Sequence, residues 1–78
     1  MLPEITMSNG RIVILGAGNW GTTLAVLYSG RRKTLLLTHS VKRARELNET
    51  RENRRYLPGF TLPDALVIQS AEEYQTFL

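Results

Sequence analysis

The sequence predicts an α/β fold, half of a doubly wound domain, and three observations support this prediction. Three short apolar runs occur, at 11–15, 34–38 and 65–69, each too short to form an independent helix. The glycine pattern G-x-G-x-x-G at 16–21 follows the first run directly. Helical periodicity follows the first and second runs. Strands that alternate with helices form parallel sheets, so the predicted unit is βαβαβ with parallel strand order 3-2-1.

The first strand is predicted at Arg11–Leu15 and the first helix at Asn19–Ser29. Four consecutive apolar residues in the strand indicate that both of its faces are covered. Gly30 is expected to end the helix in the left-handed conformation, as glycine often does. Four residues at helical spacing are expected to face inward: Trp20, Leu24, Leu27 and Tyr28.

The second strand is predicted at Thr34–Thr38, and Ser40 is a suitable N-cap for a helix over Val41–Thr50. Proline, glycine and asparagine in 51–64 predict a loop without regular structure. The inward positions of this second helix are expected to be Val41, Ala44 and Leu47.

The third strand is predicted at Ala65–Gln69. After it, the capping box Ser70-Ala71-Glu72-Glu73 opens a third helix that reaches Leu78, so the half-domain is truncated inside that helix. The first strand would occupy the middle of a complete sheet and would here expose an unpaired edge. We therefore expect self-association through that edge, which would be covered by a second copy, another chain or further residues.

Each glycine of the 16–21 pattern has a mechanical role in a nucleotide-binding turn. Gly16 permits the tight turn out of the strand, Gly18 lets the backbone approach a pyrophosphate, and Gly21 lets the helix pack closely on the strand. The helix N-terminus then presents free N–H groups and a positive dipole to the phosphates. The alternative is a glycine-rich turn that only packs well. We favour a partial dinucleotide-binding (Rossmann) domain at 11–78, after a flexible leader at 1–10.

Composition restricts the classes of function. The chain of 78 residues has no cysteine and a single histidine, His39, so thiolate sites are excluded and a zinc site is not expected. No apolar run approaches the ~20 residues of a membrane span. Residues 1–10 lack a basic-then-apolar signal pattern, and we expect a cytoplasmic protein.

Positive charge is concentrated at 31–55, which carries +6 where the whole chain carries +3. Such a patch attracts either nucleic acid or cofactor phosphates, and a solvated helix face also explains most of it. Nucleic-acid binding is not expected, because aromatic residues do not alternate with the basic ones and only Tyr56 lies near them.

Two separated motifs resemble the bacterial NAD(P)-dependent glycerol-3-phosphate dehydrogenases. GAGNWGTTLA at 16–25 is similar to that family's GAGSWGTALA, and ENRRYLPG at 52–59 is similar to its EN-x-RYLPG segment. Leu62-Pro63 continues the likeness, which covers nearly all of the chain from Arg11 onward. The resemblance implies reversible hydride transfer between NAD(P)H and dihydroxyacetone phosphate, which gives sn-glycerol 3-phosphate for phospholipid synthesis.

The resemblance also assigns cofactor-binding residues. Trp20 resembles the family's cofactor-contacting aromatic, although its other interpretation is a core anchor. Tyr56 resembles a tyrosine near the adenosine end, although simple loop packing is its alternative. Asn19 stands where the family usually has serine and keeps a polar group. The complete set of expected contacts is Gly16, Gly18, Asn19, Trp20, Gly21, His39, Ser40 and Tyr56.

The turn after the second strand favours NADPH over NADH. An NAD site normally has a carboxylate about 20 residues past the glycines, where it binds the ribose hydroxyls. Here His39 and Ser40 occupy that turn, and no carboxylate follows before Glu46. Lys42 and Arg43 add positive charge, although each is interpreted as a solvated helix residue.

No residue of the chain is a convincing general acid or base. The resemblance implies that the catalytic lysine and a helical substrate domain lie beyond position 78, so this piece alone is expected to be inactive. Two alternatives are a standalone nucleotide-binding or regulatory module without catalysis and a small basic nucleic-acid-binding module.

Overall fold

The computed structural model describes residues 4–8, 10–16 and 18–76, with backbone only at 8, 19, 75 and 76. One four-stranded sheet carries helices on both faces. Within the described part, none of the helices combines the length and the apolar character that crossing a membrane requires. The elements are β1 (Glu4–Ser8), β2 (Arg11–Leu15), α1 (Asn19–Ser29), β3 (Thr34–Thr38), α2 (Val41–Thr50), β4 (Val67–Ser70) and α3 (Ala71–Thr76).

The sheet has the order β1-β2-β3-β4. β2 pairs with β3 in parallel, for example Val13 with Leu35, and β3 pairs with β4 in parallel, for example Leu36 with Ile68. The predicted parallel order 3-2-1 is confirmed as β4-β3-β2. β4 begins two residues later than predicted, because Leu66 belongs to a turn closed by its N–H to the carbonyl of Pro63.

Apolar side chains cover both faces of β2 and β3. Ile14 and Leu36 are fully buried on the face that α1 and α2 cover, together with Leu47 of α2. The opposite face holds a smaller cluster of Val13, Leu35 and Leu37, against which Ala71 and Tyr74 of α3 pack. Of the predicted inward positions of α2, Ala44 and Leu47 are buried and Val41 is partly exposed.

The predicted flexible leader is wrong for residues 4–8, which form β1. This strand pairs antiparallel with β2, and Ile5 lies opposite Ile14 while Met7 lies opposite Ile12. A turn containing Gly10, with φ of +77°, connects the two strands. Backbone groups along the edge of β2 thus find partners within the chain. The open edge on which self-association was predicted is already filled; residues 1–3 and 9 of the expected leader lie outside the described residues.

The predicted inward stripe of α1 is also wrong. Trp20 is 58% exposed and Leu27 64% exposed, and Tyr28 is exposed as well. The buried side of α1 consists of small residues that let the helix lie close to the sheet: Gly21, Thr22, Ala25 and Ser29. Leu24 of the predicted stripe is partly buried and packs against the core.

Helix ends follow the predictions at two of three positions. The Ser40 hydroxyl accepts the N–H of Arg43 at 3.1 Å and caps α2. The Ser70 hydroxyl accepts the N–H of Glu73 at 3.0 Å, as expected of the capping box. Gly30 is not left-handed, because its φ of −76° is right-handed helical. The left-handed C-cap is instead Arg51, with φ of 54°.

Candidate nucleotide-binding site

The candidate site lies at the sheet edge where the parallel strands end. β2, β3 and β4 are parallel, so their carboxyl ends, Leu15, Thr38 and Ser70, lie at the same edge. Ligands of open α/β sheets bind in the crevice outside these ends. The glycine turn after β2 and the turn after β3 therefore lie at the same edge of the sheet, where such a ligand would bind.

The backbone of the glycine turn fits the roles predicted for its first two glycines. Gly16 donates its N–H to the carbonyl of Leu37 at 2.9 Å, so the ladder continues one residue past β2. Its φ of +114° lies in a backbone region that is strained for any residue with a Cβ atom. Gly18 has an extended backbone, with φ of −76°, and an added Cβ there would meet no atom within 4 Å. The protein itself therefore does not require glycine at 18; a closely approaching ligand would.

The N-cap residue of α1 provides no side chain to cap the helix. Gly18 is its N-cap residue, and the first turn contains no acidic side chain. The first helical hydrogen bond runs from the N–H of Thr22 to the carbonyl of Gly18 at 3.0 Å. The preceding amides and the positive end of the helix dipole suit an anion in front of them. Gly21 is buried, as its packing role requires, while the side chain of Asn19 and all of Ala17 lie outside the described residues.

Trp20 stands in the first turn of α1 with its side chain 58% exposed. It is therefore not a core anchor, which was one of its two interpretations. A contact between this indole and a cofactor remains a prediction.

Hydrogen bonds fix the turn after β3. The hydroxyl of Thr38 is buried and donates to the carbonyl of Ser40 at 2.6 Å. Both predicted contacts in this turn, His39 and Ser40, are exposed. The Ser40 hydroxyl already serves as the cap of α2, so any ribose contact would share it.

Tyr56 lies in the loop between α2 and β4 and is 39% exposed. The guanidinium carbon of Arg55 lies 5.5 Å from the centre of its ring. The Tyr56 ring is thus available at the surface and is not packed into the core of the loop.

A buried polar bridge that the sequence reasoning missed connects the two helices that begin at this edge. Asn53 is fully buried, and its Nδ2 donates to the hydroxyl of Thr22 at 2.7 Å. Its Oδ1 accepts a hydrogen bond from Arg43 Nη2 at 2.5 Å. Thr22 belongs to the first turn of α1 and Arg43 to the first turn of α2. The signal in the sequence was that Asn53 belongs to the 52–59 motif. It was missed because a polar residue in a loop is ordinarily expected at the surface.

The basic patch at 31–55 is only partly a solvated face. Arg43 bonds Asn53, and Arg51 donates from Nη2 to the carbonyls of Pro63 and Leu66. Among the residues that the structure describes, no three His, Cys, Asp or Glu side chains are grouped so as to hold a metal ion.

Comparisons with known proteins identify the family. A family model described as NAD-dependent glycerol-3-phosphate dehydrogenase N-terminus matches residues 11–75. A relative from Chlorobium phaeobacteroides, named glycerol-3-phosphate dehydrogenase (NAD(P)+), is 52% identical over 60 residues, which are 76% of this chain and 18% of the relative. Relatives with the same name from Prosthecochloris aestuarii and Geobacillus thermodenitrificans are 53% and 46% identical over 73% and 72% of the chain, and 18% and 17% of their own length.

The chain thus spans less than a fifth of the length of these relatives. No solved structure matches it significantly. The family match covers the glycine turn, both helices beside it and all three parallel strands. The chain belongs to the NAD-dependent glycerol-3-phosphate dehydrogenase family and corresponds to its N-terminal, nucleotide-binding part.

Proposed function

We propose that this chain binds the adenosine diphosphate part of a nicotinamide dinucleotide at the glycine turn between β2 and α1. The observation that carries the proposal is the uncapped N-terminus of α1 behind Gly16 and Gly18. The amides that precede the first helical hydrogen bond and the positive end of a helix dipole favour the paired phosphates of such a molecule. The expected contacts at 16, 18, 19, 20, 21, 39, 40 and 56 belong to this proposal.

As part of a longer enzyme, the chain would serve hydride transfer between NAD(P)H and dihydroxyacetone phosphate, giving sn-glycerol 3-phosphate for phospholipid synthesis. The relatives named glycerol-3-phosphate dehydrogenase support this assignment. The chain supplies cofactor binding and no proposed catalytic residue, so by itself it is expected to bind and not to turn over substrate. A cytoplasmic location belongs to the same proposal.

NADPH is the proposed cofactor. The turn after β3 presents His39 and Ser40 and no carboxylate, whereas an NAD site places Asp or Glu there to accept bonds from the ribose hydroxyls. A carboxylate would also repel a 2′-phosphate. An enzyme containing this chain that works about tenfold better with NADH, a difference of about 1.4 kcal/mol, would contradict this choice.

Titration with NADPH, followed by fluorescence, tests the binding site. Trp20 is the only tryptophan and is exposed beside the turn, so a bound nucleotide is expected to quench its emission. Gly18→Val is expected to abolish the signal, because its side chain would occupy the space that the diphosphate needs.

The matched control is Gly30→Val at the other end of α1. Gly30 also has a φ of −76°, and an added Cβ there would meet only the carbonyl of Leu27, at 3.8 Å. This variant is expected to bind as the original chain does. Equal titration of the Gly18 variant and the original chain would refute the proposed site.

A further inference from the structure

The guanidinium of Arg43, in the first turn of α2, is linked through Asn53 to Thr22 in the first turn of α1. Its Nη2 donates to Asn53 Oδ1 at 2.5 Å, and its side chain is only 29% exposed. The first turn of α2 follows the carboxyl end of β3, and in this fold class the adenosine ribose lies beside that end. A fixed cation therefore stands next to the position expected for the ribose.

Asn53 is itself fixed from several directions. Its side chain is fully buried and donates to the Thr22 hydroxyl at 2.7 Å. Its backbone carbonyl accepts the N–H groups of Tyr56 and Leu57, at 3.2 and 2.7 Å. Because a buried polar group is costly to leave without partners, Asn53 restricts the conformations available to the Arg43 side chain.

The guanidinium keeps capacity for an anionic ligand. Among the described residues, it forms an ion pair from Nη1 to Glu46 Oε2 at 3.5 Å, and the Glu46 side chain is 50% exposed. An ion pair of this length at the surface contributes little stability, so its replacement by a phosphate costs little. Arginine offers a planar fork of donors that matches phosphate oxygens in two parallel hydrogen bonds.

Resting on the proposed function, we propose that Arg43 is the residue that selects a 2′-phosphorylated adenosine ribose, and that Asn53 is its positioning residue. Arg43 binds the 2′-phosphate, while Asn53 acts through Arg43 and does not touch the ligand. The glycine turn binds the diphosphate independently of this pair. Selection of the 2′-phosphate and binding of the diphosphate are thus separate contributions from neighbouring parts of one crevice.

Calorimetric titration with 2′,5′-ADP and with 5′-AMP tests this proposal, because the two probes differ only in the 2′-phosphate. Arg43→Met keeps the apolar stem and removes the charge. It is expected to weaken the binding of 2′,5′-ADP about 10-fold to 100-fold, as for the loss of a charged hydrogen bond. The binding of 5′-AMP is expected to weaken less than about 2-fold. Arg45→Met, two residues further along α2 at an exposed position, removes the same charge and is expected to change neither affinity by more than about 2-fold.

Asn53→Ala tests the positioning role. This substitution is expected to weaken the binding of 2′,5′-ADP more than the binding of 5′-AMP. If Asn53 had a purely structural role, the affinities for both probes would fall equally. Equal losses for the two probes in both the Arg43 and the Asn53 variants would overturn the inference, as would an Arg45 variant that matches the Arg43 variant. Binding of 5′-AMP with no preference for 2′,5′-ADP in the original chain overturns the inference and leaves the proposed function standing. Binding of neither probe overturns both.

Discussion

Replacement of Arg51 separates two opposing contributions to the stability of this chain. Arg51 ends α2 with φ of 54° and ψ of 32°, a left-handed conformation that costs a non-glycine residue about 1–2 kcal/mol. Its side chain donates from Nη2 to the carbonyls of Pro63 and Leu66, at 2.5 and 3.0 Å. It also donates from Nη1 to Asn48 Oδ1 at 3.1 Å. The side chain thus ties the loop before β4 to the end of α2.

The magnitudes predict an order of stability. Arg51→Ala keeps the backbone strain and loses the hydrogen bonds of a charged group, which costs about 2–3 kcal/mol. Arg51→Gly loses the same bonds and relieves the strain, but glycine gains about 0.5–1 kcal/mol of freedom in the unfolded chain. The free energy of unfolding of the glycine variant should therefore be about 1 kcal/mol higher than that of the alanine variant. A chain of 78 residues has a free energy of unfolding of about 4–12 kcal/mol, so both losses are measurable.

Urea unfolding of the three proteins, followed by far-ultraviolet circular dichroism, provides the comparison. The expected order of the free energy of unfolding is the original chain, then Arg51→Gly, then Arg51→Ala. An alanine variant as stable as the glycine variant would mean that the strain of the left-handed backbone is no larger than the about 0.5–1 kcal/mol of freedom that glycine gains in the unfolded chain. Variants within about 0.5 kcal/mol of the original chain would refute the stabilising role of the side chain, since that is the range of ordinary surface substitutions.

The remaining predictions concern the glycine turn and the third helix. Gly16→Ala should lower the free energy of unfolding by about 1–3 kcal/mol, because φ of +114° strains any side chain, whereas Gly18→Ala should leave it unchanged. Chemical denaturation of the two variants checks this, and equal stability would contradict it. Ser70→Ala should cost about 1 kcal/mol, because the Ser70 hydroxyl caps α3 through the N–H of Glu73 at 3.0 Å. Thermal unfolding measures that loss, and an unchanged midpoint would refute the capping role.

Local patterns in the sequence were sufficient for the elements that depend on local chemistry. Bounds of α1, β3 and α2 agree with the prediction because a glycine turn, an apolar run and a serine cap each act over a few residues. The buried side of α1 was predicted wrongly, because helical spacing alone does not say which side faces the sheet. The large side chains of Trp20 and Leu27 lie on an exposed side of α1, whereas its buried positions hold small residues such as Ala25.

Features that depend on distant partners were not accessible from the sequence. β1 exists because the edge of β2 offers it hydrogen bonds, and nothing within Glu4–Ser8 alone specifies that pairing. The candidate site divides in the same way. Its glycines could be predicted from their spacing, but its buried bridge could not. The bridge from Thr22 through Asn53 to Arg43 joins residues up to 31 positions apart in the chain. Only the folded chain brings them together.

The position of β1 beside β2 affects whether the sheet can be extended at that edge. A six-stranded doubly wound sheet continues from β2 to a fourth parallel strand, and β1 now occupies that place in the opposite orientation. One edge accommodates one neighbour, so enlargement of the sheet there begins with the departure of residues 4–8. Ile5 and Met7 are 46% and 55% exposed, so little apolar contact opposes that exchange. The N-terminal strand thus occupies the edge for which any further parallel strand would have to compete.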